Sequence, residues 1–237
     1  MNKLAAINVL GQNRILSGLP GTDYRRLQPR LERVSLKVRD AIYDADQPMR
    51  HVYFPLSGVS SVVVDTEGGL AVEVGTIGNE GMVGTAVFLG ADRQRMRSFQ
   101  QITGEALRMA TPAFKREIAR RGALHERVSL HTQAWMSQIG QSVACNSRHA
   151  IEQRTCRWLL QTHDRVGVDE FHLTQEFLAQ MLAVRRPSVT VAAGMLQRAG
   201  LITYQRGVIT IADRHKLEAA SCECYETVKQ EYRRLLG

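Results

Sequence analysis

Cysteine is scarce in this chain: four residues in 237, Cys145, Cys156, Cys222 and Cys224. A disulfide framework is not expected from so few thiols in a chain this long, and structural or surface thiols are the better reading. Cys222-Glu223-Cys224 is spaced too closely for the usual zinc pairing, and the sequence places no second Cys/His pair beside it, so no metal is expected. No apolar run approaches membrane-spanning length, and the opening MNKLAAINVLGQNR is interrupted by Asn8, which makes a poor export signal. A cytoplasmic protein without a membrane partner is the expectation. Also missing are a nucleophile elbow, a Walker-type loop, an HExxH pair and paired catalytic carboxylates, so an enzyme is not expected. The most informative absence is local. From Phe177 to Ala212 there is no acidic residue, while Arg185, Arg186, Arg198 and Arg206 supply positive charge. Carboxylates on such a face would repel phosphate.

What is present points the same way. The chain is 44% hydrophobic with a net charge of +8, enough apolar surface for real cores and an excess that favours an anionic partner. In LTQEFLAQMLAVRRPSVTVAAGMLQRAGLI, Leu173–Ile202, two short amphipathic segments meet at a tight break near Ala183 and Val184. Leu178, Met181 and Leu182 share one helical face; Val189, Ala192, Ala193 and Leu196 share another. Thr174 is placed as an N-cap with Glu176 in the first turn, Pro187 suits the start of the second helix, and Gly200 suits its stop. If Ala183 needs a left-handed backbone, the alanine costs roughly 1 kcal/mol. Leu201–Tyr204 and Val208–Ile211, joined through Gln205-Arg206-Gly207, read as a hairpin. The pattern is a winged helix-turn-helix, whose second helix enters a DNA major groove. The alternative is an ordinary helical hairpin packed on a ribbon. On the first reading Thr174, Gln175, Arg185, Arg186, Ser188, Thr190 and Val191 face DNA, with Arg186 reading a base and Arg206 reaching phosphate.

Upstream, Thr22 is placed to cap a short helix, Asp23–Glu32, which Pro29 ends or bends. From Val34 the hydrophobic period becomes two, through Val52, Phe54, Val59–Val64, Leu70, Val72 and Val74, with Ile102–Met109 closing the series. Short strands at regular spacing with glycine turns indicate an all-β sandwich or barrel. Thr111 and Pro112 open a helix. Arg93–Arg127 carries nine basic residues against three acidic ones, either a second anion site or a solvated face. A longer helix follows, with Leu124, Val128, His131, Trp135, Ile139 and Ser142 on one stripe and Val143 beside it. That stripe fits either a two-stranded coiled coil or packing on the chain's own β-domain. Asn146-Ser147 is the expected hinge, and Arg214–Leu236 reads as one C-terminal helix.

VYFPLSG at Val52–Gly58, IGNEGMVG at Ile77–Gly84, the long helix and the Leu173–Ile202 stretch with its wing together resemble the Crp/Fnr family of bacterial transcription regulators. The resemblance spans nearly the whole chain. It implies an α+β protein in three parts: a jelly-roll β-roll sensor domain in residues 1–121, a dimerisation helix in 122–146, and a winged helix-turn-helix with a C-terminal helix in 147–237. It also implies a homodimer through Leu124, Val128, Trp135, Ile139 and Val143, bound to two-fold symmetric double-stranded DNA, with RNA polymerase as a further partner. The family's cyclic-nucleotide pocket uses a Gly-Glu-Leu step for the ribose and an Arg-Ser or Arg-Thr step for the phosphate. Here the corresponding stretch is Gly84-Thr85-Ala86, so the ribose carboxylate is missing and cyclic AMP is not expected. Any other anion would fall to Thr85, Arg93, Arg95 and Arg97. Clustered N-terminal cysteines for an iron–sulfur cluster are absent, and His51, His125 and His131 read as ordinary histidines rather than haem ligands. No cofactor is expected.

Overall fold

The computed structural model describes residues 12–67 and 71–237. The leader reading of the first residues, and Leu70 of the strand series, lie outside them. The chain divides into two compact units: Met1–Val62, Thr76–Met136 and Glu231–Gly237 in one, Val63–Gly75 and Ser137–Gln230 in the other.

In the first unit, buried Asn13 starts a short helix, α1 (Arg14–Ser17), its Oδ1 accepting from the Ile15 and Leu16 N–H groups. Its Nδ2 donates to the carbonyls of Pro55 and Gly81, 2.9 Å each. Helix α2 (Gly21–Leu27) then passes into a 3₁₀ turn, Gln28–Arg30, that holds Pro29. Thr22, expected as the cap, lies inside the helix instead. Pro20 sets the entry, and its carbonyl takes the Asp23 and Tyr24 N–H groups at 2.9 and 3.0 Å.

Strands β1 (Glu32–Leu36), β2 (Ala41–Tyr43), β3 (His51–Pro55), β4 (Val59–Asp65) and β5 (Ala71–Ile77) follow. After the short helix α3 (Thr85–Phe88) come β6 (Arg97–Ile102) and β7 (Gly104–Ala110). They form two sheets, β1-β7-β3 and β2-β6-β4-β5. The expected single segment Ile102–Met109 is in fact split at Thr103. Gly104 opens the second strand where a Cβ would stand 2.1 Å from the Ser57 carbonyl oxygen, so only glycine allows this close approach. The segments VYFPLSG and IGNEGMVG meet as an antiparallel bridge, Tyr53 N–H to Val83 O at 3.0 Å and Val83 N–H to Tyr53 O at 2.8 Å. Val52, Phe54, Met82 and Met109 are fully buried, and Phe54 packs on Phe114 of α4 (Thr111–Ile118) with ring centroids 6.5 Å apart. Buried Glu117 on α4 takes Arg26 at 2.9 Å and Arg120 at 3.4 Å, and also pairs with Arg30.

The long helix α5 runs Ala123–Arg148, through the expected hinge at Asn146-Ser147. Ser147 bonds back to the Ala144 carbonyl at 2.9 Å, and the break comes at His149-Ala150.

In the second unit, α6 (Ile151–Val166) buries Trp158, Leu159 and Leu160 and ends at Gly167, whose φ of +68° needs no Cβ to be accommodated. Then come β8 (Glu170–His172), α7 (Gln175–Met181), α8 (Arg186–Arg198), β9 (Ile202–Gln205) and β10 (Val208–Ile211). The sheet order is β8-β10-β9, so the expected hairpin carries a third strand. The expected single C-terminal helix is two, α9 (Arg214–Ala220) and α10 (Cys224–Leu236). Asp213 caps α9 through the Lys216 N–H at 2.9 Å. The break between α9 and α10 carries Cys222, and it brings Cys222 and Cys224 to Cys145 and His149, a Cys/His pair that the linear spacing did not place nearby.

Candidate nucleic-acid interface

The two helices cross at residues that the sequence marks as apolar. Leu178, Ala179, Met181 and Leu182 of the first and Val189, Ala192, Ala193 and Leu196 of the second are all buried. Thr174 caps α7, its hydroxyl accepting the Phe177 N–H at 3.2 Å. Ala183 has a φ of +52°, the left-handed turn that lets α8 depart, and Val184 N–H closes on Ala179 O at 3.0 Å. The far end of α8 stops in a Schellman pattern. Gly200, at φ +70°, gives its N–H to Gln197 O at 2.9 Å, and Leu201 gives its own to Leu196 O at 3.0 Å.

The wing is a two-residue hairpin. Gln205 pairs with Val208, and both loop residues, Arg206 and Gly207, have positive φ, +50° and +79°. That is the backbone of a type I′ turn, which matches strand twist and sets the Arg206 side chain at the tip. The Tyr204 hydroxyl donates to Leu173 O at 2.7 Å, and Leu173 N–H donates to Gly207 O at 2.8 Å. These bonds tie the wing to the entry of α7.

With the core face filled, the other face of α8 is free. Arg185, Arg186, Ser188, Thr190 and Val191 are exposed, Val191 by 56%. Thr190 donates to Gln175 at 2.8 Å, which holds the α7 amide beside the second helix. Thr174, Gln175, Arg186, Tyr204, Arg206 and Gly207 line one open hollow of about 410 Å³. Burial pushes the Tyr204 phenol up, opposed by the nearby Arg186 guanidinium. Helix start, helix face and wing tip therefore present arginines, amide and hydroxyl groups around a single concavity. Such a surface offers both donors for phosphate oxygens and groups for base edges.

A unit built in this way is a winged helix-turn-helix. Residues 153–220 match the Crp-like helix-turn-helix domain. About four fifths of the chain superposes on solved structures. FixK2 from Bradyrhizobium japonicum superposes with a TM-score of 0.69 at 14% identity, over 81% of this chain and 98% of that one. A CRP-family transcriptional regulator from Thermus thermophilus gives 0.67 at 20% identity, over 79% and 96%. A CRP/FNR-family regulator from the same organism gives 0.60 at 19%, over 80% and 98%. No curated protein matches the chain. The chain thus carries a Crp-like helix-turn-helix, and its fold as a whole is similar to those of these three solved structures.

Other expected site residues are dispersed. Thr85 is buried at the start of α3, Arg93 and Arg95 are exposed in the loop before β6, and only Arg97 belongs to that strand. Arg93 donates to the Asp46 carbonyl at 3.2 Å. Much of the basic run is engaged in its own unit: Arg108 pairs with Glu32 at 2.8 Å, and Arg127 donates to Arg14 O and Leu236 O at 2.8 and 2.9 Å. On α5, Leu124, Val128 and Trp135 are buried within the single chain, Ile139 is half-buried, and Val143 is exposed by 67%. His131 is buried, its Nε2 3.2 Å from the Met82 N–H, while His125 meets Phe88 edge-on. His51 lies beside Tyr53. Among the described residues, no helix is long and apolar enough to cross a membrane.

One supporting residue was not legible in the sequence. Arg154 on α6, only 8% exposed, donates to the Leu182 carbonyl at the turn between the two helices. Its signal would have been a charge on the inward side of an amphipathic helix.

Proposed function

We propose that this protein is a transcription regulator of the Crp/Fnr type that binds a two-fold symmetric operator as a homodimer, without cyclic AMP as effector. The observation that carries the reading is the hollow shared by Thr174, Gln175, Arg186 and Arg206, whose two arginines belong to the Phe177–Ala212 stretch without acidic residues. Arg186 supplies the bidentate fork suited to guanine, Val191 an apolar contact for a thymine methyl, and Arg206 a phosphate contact. Arg185, Ser188 and Thr190 complete the face, and RNA polymerase is the further partner of a regulator acting at a promoter. A dimer places two such units on half-sites about one helical turn, ~34 Å, apart.

The effector reading rests on the Gly84-Thr85 step. Thr85 has no carboxylate for a ribose, and a Cβ at Gly84 would lie 2.6 Å from the Tyr43 hydroxyl, so that phenol packs directly over the step. Footprinting of the protein's own promoter region tests the whole reading. A protected dyad, unchanged by added cyclic AMP, is expected. Protection that appears only with cyclic AMP, or binding without any symmetric element, contradicts it.

A further inference from the structure

Outside the DNA face, the second unit gathers Cys145, His149, Cys222 and Cys224, whose ligand atoms all lie within 4.8 Å of one another. Cys145 and His149 stand one turn apart at the end of α5, and the His149 N–H still bonds to Cys145 O at 3.1 Å. Cys222 and Cys224 flank Glu223 where α9 gives way to α10. The alternation turns both thiols inward and leaves the Glu223 side chain 73% exposed. Cys145 Sγ is 3.5 Å from Cys222 Sγ, and Cys224 Sγ is 3.5 Å from His149 Nδ1.

We propose that these four residues form a structural zinc site. With Zn–S near 2.3 Å and Zn–N near 2.0 Å, tetrahedral edges come to about 3.8 Å between sulfurs and about 3.5 Å between sulfur and nitrogen. The Cys145–Cys222 and Cys224–His149 separations, 3.5 Å each, lie near these figures, and every pair is within 4.8 Å. Four protein donors leave no open position, which marks a structural rather than a catalytic centre. The cage is too tight for a multi-iron cluster, whose bridging sulfides spread the terminal thiolates further apart.

The surroundings fit the same ion. The Glu223 carboxylate sits 3.1 Å from His149 Nε2, so it takes that N–H and leaves the Nδ1 lone pair facing the thiols. Gln141 Nε2 donates to Cys224 Sγ at 3.1 Å, a bond that favours a thiolate. On binding, each thiol releases its proton to solvent and the histidine binds neutral, so the occupied site keeps one net negative charge. Arg154 and Arg157, both mostly buried, lie within electrostatic reach of Cys145 and offset it. The ion would pin the start of α10 to the end of α5, beside the break that leads into α6. Cys156, also buried, is not one of the gathered donors and serves as an internal control.

The test uses the full chain, purified under reducing conditions without added metal. Elemental analysis should find about one zinc per chain, and X-ray absorption should show three sulfurs near 2.3 Å and one nitrogen near 2.0 Å. Cys145→Ala or Cys222→Ala should lower zinc content at least about tenfold, and Cys156→Ala should leave it unchanged. Glu223→Gln keeps every donor and should weaken zinc about tenfold in competition with a chromophoric chelator. The proposal is overturned if the wild-type protein stays below about 0.1 zinc per chain after incubation with zinc. It is equally overturned by a different metal at full stoichiometry, a different ligand shell, or a Cys145–Cys222 disulfide in the freshly purified protein. Metal content and ligand shell are read on the wild-type chain, so a variant that fails to fold leaves the test standing.

Discussion

Ala183 holds a left-handed backbone, φ +52°, at the turn of the helix-turn-helix. A Cβ there is strained and glycine is not, so Ala183→Gly should stabilise the protein by roughly 1 kcal/mol. In a chain of this size that is a rise of about 2–4 °C in Tm, read by thermal unfolding. An unchanged or lower Tm would show that the turn carries no such strain. Glu117 gives a second prediction at this scale. Burial pushes its carboxyl up, but Arg26, Arg120 and Arg30 overcome that and hold it below its ordinary value. Its folded value is therefore the depressed one. The stabilisation is fully present above the ordinary value of 4.5 and is lost as pH falls through the folded value. Acid titration of Glu117→Gln should show a shallower loss of stability below that point than wild type; parallel curves would contradict it. At single residues the sequence was informative at the Thr174 cap, the Gly200 stop and the Ala183 turn, where local backbone chemistry decides, but not at Thr22, where Pro20 sets the helix start instead. It was silent on Arg154, because a charge turned inward toward the Leu182 carbonyl is specified only by the packed structure.

At the scale of elements, periodicity identified the helix pair, the wing and the strand series, because each buries one face. It failed at the Thr103-Gly104 break, which was read through, and where a break has no glycine or proline to announce it. Arg214–Leu236 kept a helical pattern through Ser221–Glu223, yet the chain turns there. Cys145 and Cys222 are far apart in sequence, so no spacing rule could join them. β8 was missed for a related reason: three residues, with only Phe171 buried, carry too little pattern to register. The stripe on α5 shows the opposite limit. Its spacing was real, but Leu124, Val128 and Trp135 are buried within one chain. A charge at Trp135 would therefore damage the fold itself. On α5 the large exposed apolar side chains are Met136, by 59%, and Val143, by 67%, with Gly140 between them, and the proposed dimer would have to use these. Met136→Glu with Val143→Glu should give folded monomers by light scattering and circular dichroism. A wild-type monomer at micromolar concentration would contradict the proposed dimer, and a double variant that remains dimeric would place the interface elsewhere.

For the whole molecule, the account is that α8 reads bases while the wing holds the backbone. Competition binding to the footprinted operator and to random DNA, over a series of salt concentrations, separates these roles. Arg206→Ala should weaken all sequences alike and reduce the salt slope by about 1. The direct test of the central claim is Arg186→Ala in the same assay. It should cost roughly 1–3 kcal/mol on the operator and relax preference at one base position, with little loss on random DNA. Equal loss on operator and random DNA would show that Arg186 contacts only phosphate, and the base-reading assignment of this helix would be wrong.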